Sequence, residues 1–325
     1  MAARLLAELA REAATELPLH RRNLSFVDDS LYRETANGLG FVEFRGVAKL
    51  GAVAMALRTL AASPLYDERR RQAEALAATI KHMMAPNGSF SPWFRGRSDL
   101  PPDRALTFYS GEAILALLEF ADRSGRNDIL DDARRAQNFY IHEYVTNLKV
   151  NYYPAYVPWH TMSLHSLFLR SCERRFAEAA FVLNDKLLEI QDTLAYAGRF
   201  FNPRYFQYGA PHSSSDGIYT EGLAYAYELA RMLGDEPREG IYGRALERAV
   251  ENLRSLQVTL PDSQEISNRP RSLGLVRTRH GSSLSRIDNT QHAIDAFRKV
   301  IRIWDRTQAL PQPPSGLRVR CVQVR

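Results

Sequence analysis

The chemistry this chain offers is concentrated in polar residues that interrupt apolar helical stretches. His160, after an aromatic run, and His212, before Ser213-Ser214-Ser215, read as loop residues and suit proton transfer near neutral pH. Tyr219 stands two residues before Glu221, and Glu221 falls in what reads as a first helical turn, where a carboxylate also complements the helix dipole. Asp288 and His292 are spaced i, i+4, which suits an oriented general base or an internal hydrogen-bonded pair. Arg45 and Arg286 supply fixed positive charge, while Glu112, Tyr153, Tyr156 and Trp159 complete a binding set whose aromatic members can stack on a sugar ring. Trp93, Phe94, Tyr205 and Tyr208 extend that aromatic set, and Arg204 adds a further cation.

Such residues fit proton abstraction next to a carboxylate, as in an epimerase or lyase acting on an anionic, uronate-like sugar. In that scheme Arg45 and Arg286 neutralise the carboxylate. His160, His212 or Tyr219 moves the proton, with His292 in reserve, and Glu221 or Asp288 orients the base. Inverting hydrolysis is the competing chemistry; it requires two of Glu112, Asp216, Glu221 and Asp288 to sit about 6.5–9.5 Å apart. Asp216 also reads as a helix cap after Ser213, Ser214 and Ser215. A non-catalytic protein binding a glycan or a protein would show the same aromatic residues without the acid/base pair.

Composition narrows the field. The 325 residues are 45% hydrophobic and 25% charged, ordinary for a globular protein. No run approaches the roughly 18 apolar residues of a membrane span. Two cysteines make neither a disulfide scaffold nor a cysteine-rich zinc site. Phosphate-loop, dinucleotide and nucleophile-elbow motifs are missing, so neither cofactor nor metal is expected. The net charge of +6 is dispersed over helical faces beside acids, as at Arg69-Arg70-Arg71, so no nucleic-acid partner is expected. The first segment is broken by Arg4, Glu8, Arg11 and Glu12, unlike a secretory leader, and a cytoplasmic location is the expectation.

These residues need elements to hold them, and helical periodicity dominates. Segments 66–84, 128–145, 175–195 and 238–258 are apolar on one stripe and charged elsewhere, which predicts an outer layer. Segments 41–62, 111–121, 159–169, 215–233 and 288–303 are apolar nearly all round, which predicts burial on both sides. The two kinds alternate, with 2–17 opening as an outer helix, on a loose period of about 60 residues. Outer-to-inner links (85–104, 146–158, 198–214, 260–285) are long; inner-to-outer links are short. This pattern predicts an all-α fold, an (α/α)5-type toroid with long loops on one face, where the candidate residues gather at the inner-helix starts. A single domain is expected over 1–308. The stretch 309–325, rich in proline and arginine, reads as a disordered basic tail.

The repeat also has a family likeness. Asn87-Gly88-Ser89-Phe90 precedes an aromatic stretch, then Tyr109-Ser110-Gly111-Glu112-Ala113, then a helix ending Ala121-Asp122-Arg123-Ser124-Gly125. The design recurs as Asp216-Gly217-Ile218-Tyr219-Thr220-Glu221-Gly222-Leu223-Ala224, ending Leu233-Gly234-Asp235. It resembles α/α-toroid proteins of the six-hairpin glycosidase type, and more particularly the toroid domain of D-glucuronyl C5-epimerases. The resemblance implies the fold and a carbohydrate substrate; the same toroid hosts several reactions. Five pairs where the glycosidases have six lowers the hydrolase reading.

Overall fold

The computed structural model describes residues 1–264, 266 and 268–305. The tail expected at 309–325 lies outside the described residues. The chain divides into two compact units, Met1–Leu167 and a second beginning at Phe168. Each is built mainly of paired helices, as the periodicity predicts.

The first unit contains α1 (Ala2–Glu12), α2 (Leu17–Ser30), α3 (Leu50–Ala62), α4 (Arg70–His82), α5 (Pro102–Ser124), α6 (Asn127–Ile141), the short α7 (Leu148–Asn151) and the start of α8 (Val157–Ser171). Helix α4 shows the outer pattern: Ala73, Leu76, Ala77 and Ile80 are buried while Arg70, Arg71 and Glu74 face water. Helix α5 shows the inner one, buried from Ser110 through Leu118. It stops at Gly125, whose φ of 74° is the left-handed cap that glycine adopts without strain. The core of this unit is the seam between α3 and α5, which α4 and α6 cover.

Two expectations are corrected here. Residues 41–62 are not one helix. They begin as a hairpin of β2 (Gly40–Phe44) and β3 (Val47–Lys49), flanked by β1 (Tyr32–Glu34) and β4 (Trp93–Arg95) in an antiparallel sheet of order β1-β2-β3-β4. Phe41, Val42 and Phe44 favour strand, and Arg45 (φ 52°) and Gly46 (φ 77°) make the two-residue turn whose twist suits a hairpin. Helix α3 starts only at Leu50.

The second correction concerns the N-terminal helix, expected as an outer one. Helix α1 packs on α3 and has no exposed residue before Arg11. Helix α2, which the periodicity did not reveal, buries only His20 and Leu24. The first pair is therefore an inner helix followed by an outer one, like the pairs after it. Residues 2–17 are too rich in Arg and Glu to read as inner; Arg4 is accommodated by pairing with Glu8 at 2.8 Å.

The second unit contains α9 (Arg174–Leu188), α10 (Ser213–Leu233), α11 (Glu236–Ser255), the short α12 (Leu260–Ser263) and α13 (Arg269–Ser272), and α14 (Ile287–Trp304). Helix α10 ends at Gly234 (φ 66°), and the Asp235 carboxylate caps α11 by accepting the Arg238 N–H at 3.1 Å. Leu253 of α11 and Leu256 at its C-cap pack with Val276 and with Ala293 and Ala296 of α14. Helices α10 and α14 pack extensively against each other.

Candidate functional site

Helices α10 and α14 approach closely because Gly217 lacks a side chain. A Cβ there would stand 2.8 Å from the carbonyl carbon and Cβ of His292. One turn further on, Glu221 meets His292 and Asp295. One ligand atom from each of these three lies within 4.8 Å of the other two, with Glu221 and Asp295 buried and His292 half-buried. Deeper still, Lys299 donates to Glu228 at 2.6 Å and lies 3.9 Å from the Tyr225 ring centroid. Burial pulls the Lys299 amine down from its ordinary range, against the pull of Glu228 and Glu221. Both faces follow helical spacing: 217, 221, 225 and 228 on α10, and 288, 292, 295 and 299 on α14.

The start of α10 is fixed by hydrogen bonds. The His212 ring accepts the Ser214 N–H at 3.2 Å and so caps the helix. Asp216 has another task than the expected cap. Its carboxyl group accepts the Phe200 N–H at 2.8 Å and the Asn252 side chain at 3.2 Å, tying the long loop and α11 to α10. Burial pushes its carboxyl up to about 7. His280 continues the network, 3.1 Å from Asn252.

The first unit repeats the design. Gly51 of α3 lies under Tyr109 and Glu112 of α5, where a Cβ would stand 2.5 Å from Glu112 Oε2. Seven residues on, Arg58 donates to Glu119 through Nε at 2.9 Å and Nη2 at 2.8 Å, beneath the Trp159 ring. Desolvation pushes the Glu112 carboxyl up to about 7.

The predicted residues thus separate. Glu221 and His292 come together, joined by Asp295. Asp288 is not the partner of His292: it binds Arg286 through two contacts of 3.0 and 2.7 Å, and the Arg286 side chain is exposed. Burial lowers the pKa of His212; Asp288 and Arg286 act on it in opposite directions. Tyr219 is buried edge-on to Phe200 at 5.5 Å. Arg45 sits at an exposed hairpin tip, over Phe44.

His160 is on α8 rather than in a loop, and only 1% exposed. Its ring contacts Ser110 at 3.0 Å and Gln137 at 3.2 Å, and burial pushes its pKa down to about 3. A neutral packing histidine fits this environment better than an acid/base group. Tyr156 is fully buried and stacks on Tyr144 at 3.9 Å. Trp159 is buried over Arg58, and Tyr153 is half-buried under Arg104.

Asp295, Lys299, Glu228, Arg58 and Glu119 escaped the sequence reading. The available signal was the recurrence of charge seven residues after some of the singled-out positions: Glu112 to Glu119, Glu221 to Glu228, His292 to Lys299.

Chemically, the Glu221–His292–Asp295 group can orient an imidazole and stabilise its protonated form. The same atoms are the ones that would hold a divalent cation, although the positive charge of Lys299, felt at Glu221, opposes one. No helix is long and apolar enough to cross a membrane among the described residues.

No family model matches the chain, and no curated protein does. Solved structures do. A D-mannose isomerase superposes with a TM-score of 0.68 at 11% identity, covering 93% of this chain and 86% of its own. A GH76 α-mannanase from Bacteroides thetaiotaomicron gives 0.62 at 10% identity, covering 93% and 85%. A sugar epimerase from a ruminal bacterium gives 0.58 at 14% identity, covering 86% and 82%. The chain has the α/α-toroid fold.

Proposed function

We propose that this chain is a carbohydrate-active enzyme that isomerises or epimerises a sugar by moving a proton at the carbon beside a carbonyl. One observation carries the reading: Glu221, His292 and Asp295 converge to within 4.8 Å on two tightly packed helices. In the proposed step a His292 ring nitrogen takes the proton from that carbon, and the electron pair passes to the carbonyl oxygen as an enediolate. Return of the proton to the neighbouring carbon, with the hydroxyl proton passing from its oxygen to the former carbonyl oxygen, gives isomerisation; return to the opposite face of the same carbon, with the carbonyl re-formed, gives epimerisation. Glu221 and Asp295 orient the ring and balance the imidazolium charge. The fold shared with a sugar isomerase and a sugar epimerase supports the substrate class by analogy.

The uronate and lyase readings relied on Arg45 and Arg286. One is turned to solvent and the other is taken up by Asp288, so a neutral sugar is the better proposal. Inverting hydrolysis is disfavoured, because Glu221 and Asp295 present oxygens within 4.8 Å, closer than the roughly 6.5–9.5 Å that admits a water. The test is incubation of aldoses and ketoses with the protein in deuterium oxide, read by NMR. Deuterium should enter the sugar next to the carbonyl carbon. Glycosidic cleavage without carbon-bound deuterium would refute the proposal.

A further inference from the structure

Two buried polar groups in the unit Met1–Leu167 remain unused. Glu112 is 9% exposed and has no hydrogen-bond partner among the described residues. Arg58 is 1% exposed; its Nε and Nη2 serve Glu119, while its Nη1 is buried with no partner. Leaving such groups unmet inside a protein is costly, and a native structure that does so has a use for them.

Their placement is orderly. Helices α3 and α5 run in the same direction, with Gly51 against Glu112 and Arg58 against Glu119. Helical side chains lean toward the N-terminus, so the Arg58 guanidinium lies on the Glu112 side of its own turn. Desolvation raises the Glu112 pKa, and the positive charges of the N-terminal amine and, after it, of Arg58 reach Glu112 and oppose that rise. Aromatic surface flanks both: the Trp159 ring centroid is 5.6 Å from the guanidinium, and Tyr109 lies beside Glu112 with Trp93 edge-on at 6.0 Å. A donor, a carboxyl group and aromatic rings are what a hydroxylated ring requires.

We infer that Arg58 and Glu112 recognise two neighbouring hydroxyl groups of a neutral sugar, Nη1 donating to one oxygen and the carboxyl group bonding the other. An anionic ligand fits less well, because the Arg58 charge is already met by the two-pronged contact with Glu119. The inference rests on the sugar reading above for the class of ligand, and concerns a sugar site within the unit Met1–Leu167.

The test is calorimetric binding of D-mannose, D-glucose and D-glucuronate to the full chain at pH 8. At least one neutral hexose should bind, about tenfold or more tighter than D-glucuronate. Glu112→Leu should weaken that binding about tenfold with the melting temperature not lowered, and Glu112→Gln should restore most of it. Arg58→Lys keeps a positive charge near Glu119 but removes Nη1; it should weaken binding similarly, which keeps the inference exposed if Glu112→Leu misfolds. Tighter binding of D-glucuronate, no binding of either hexose, or unchanged binding in both variants overturns it. His292→Gln separates the two readings, since it should abolish deuterium exchange yet bind hexose normally. Failure of exchange with Glu112-dependent binding intact defeats only the proton-transfer proposal. Exchange with Glu112-independent binding defeats only this one.

Discussion

At the residue scale, the decisive difference among the histidines is access. His160 had the more suggestive sequence context, yet its ring is closed in by Ser110, Gln137 and tyrosines. His292, half-buried against two carboxylates, is the histidine on which the proposed proton transfer relies. Replacing His292 by Gln should reduce turnover at least 100-fold, the usual worth of a general base. Melting should change little, and the comparison of kcat with the thermal midpoint checks this. His160→Gln should instead cost stability while sparing turnover in the protein that remains folded.

The buried carboxyl groups set a pH dependence at the same scale. Glu112 and Asp216 both titrate near 7 when folded and near 4 when unfolded, so the folded chain binds more protons between those values. Stability is then fully present below about pH 4 and falls as pH rises toward 7. Glu112→Gln should flatten part of that fall and gain about 1–3 kcal/mol at pH 8, since each pKa unit is worth about 1.4 kcal/mol. Urea unfolding of both proteins at pH 5 and pH 8 measures it; equal slopes would count against a neutral buried Glu112.

At the element scale, glycine governs how near two inner helices come. Gly217→Ala would set a methyl against the His292 backbone, so α10 and α14 must part. The expected cost is about 1–3 kcal/mol, with a larger proportional loss of turnover than of stability. Denaturation and kinetics on one preparation separate the two effects. The Lys299–Glu228 pair gives a second test. Lys299→Met removes the buried amine that donates to Glu228 and should cost about 3–5 kcal/mol, much of it recovered by adding Glu228→Leu. These elements also mark what the chain discloses before folding. Burial shows up as apolar periodicity, so α4, α6, α8, α10, α11 and α14 were legible to within a few residues, while α9 ends seven residues before the expected 195. The β2–β3 hairpin was not, because its apolar run joins that of α3 without a break and the turn residues Arg45 and Gly46 carry little punctuation. The charged seams were hidden for a related reason. A single Lys or Asp among aliphatic neighbours reads as noise until a facing helix supplies its counterpart.

At the scale of the whole molecule, both units place a glycine in the first turns of an inner helix and opposed charges deeper along the same seam. The fold class was therefore readable from alternation alone, whereas the site depends on pairings between segments some 60 to 80 residues apart (Gly51 with Glu112, Glu221 with His292). Removal of divalent cations by chelation should leave sugar turnover unchanged if His292 acts as a base. Loss of turnover restored by one metal ion would reassign the three ligands.

The common heading of α10 and α14 has a consequence for how this chain tolerates change. Each added residue turns a helix by roughly 100°. One amino acid inserted between Gly217 and Glu221 would swing Glu221, Tyr225 and Glu228 off their facing neighbours together, though every side chain survived. Length within these helices should therefore be far less negotiable than composition, while the loops ahead of them are free to grow.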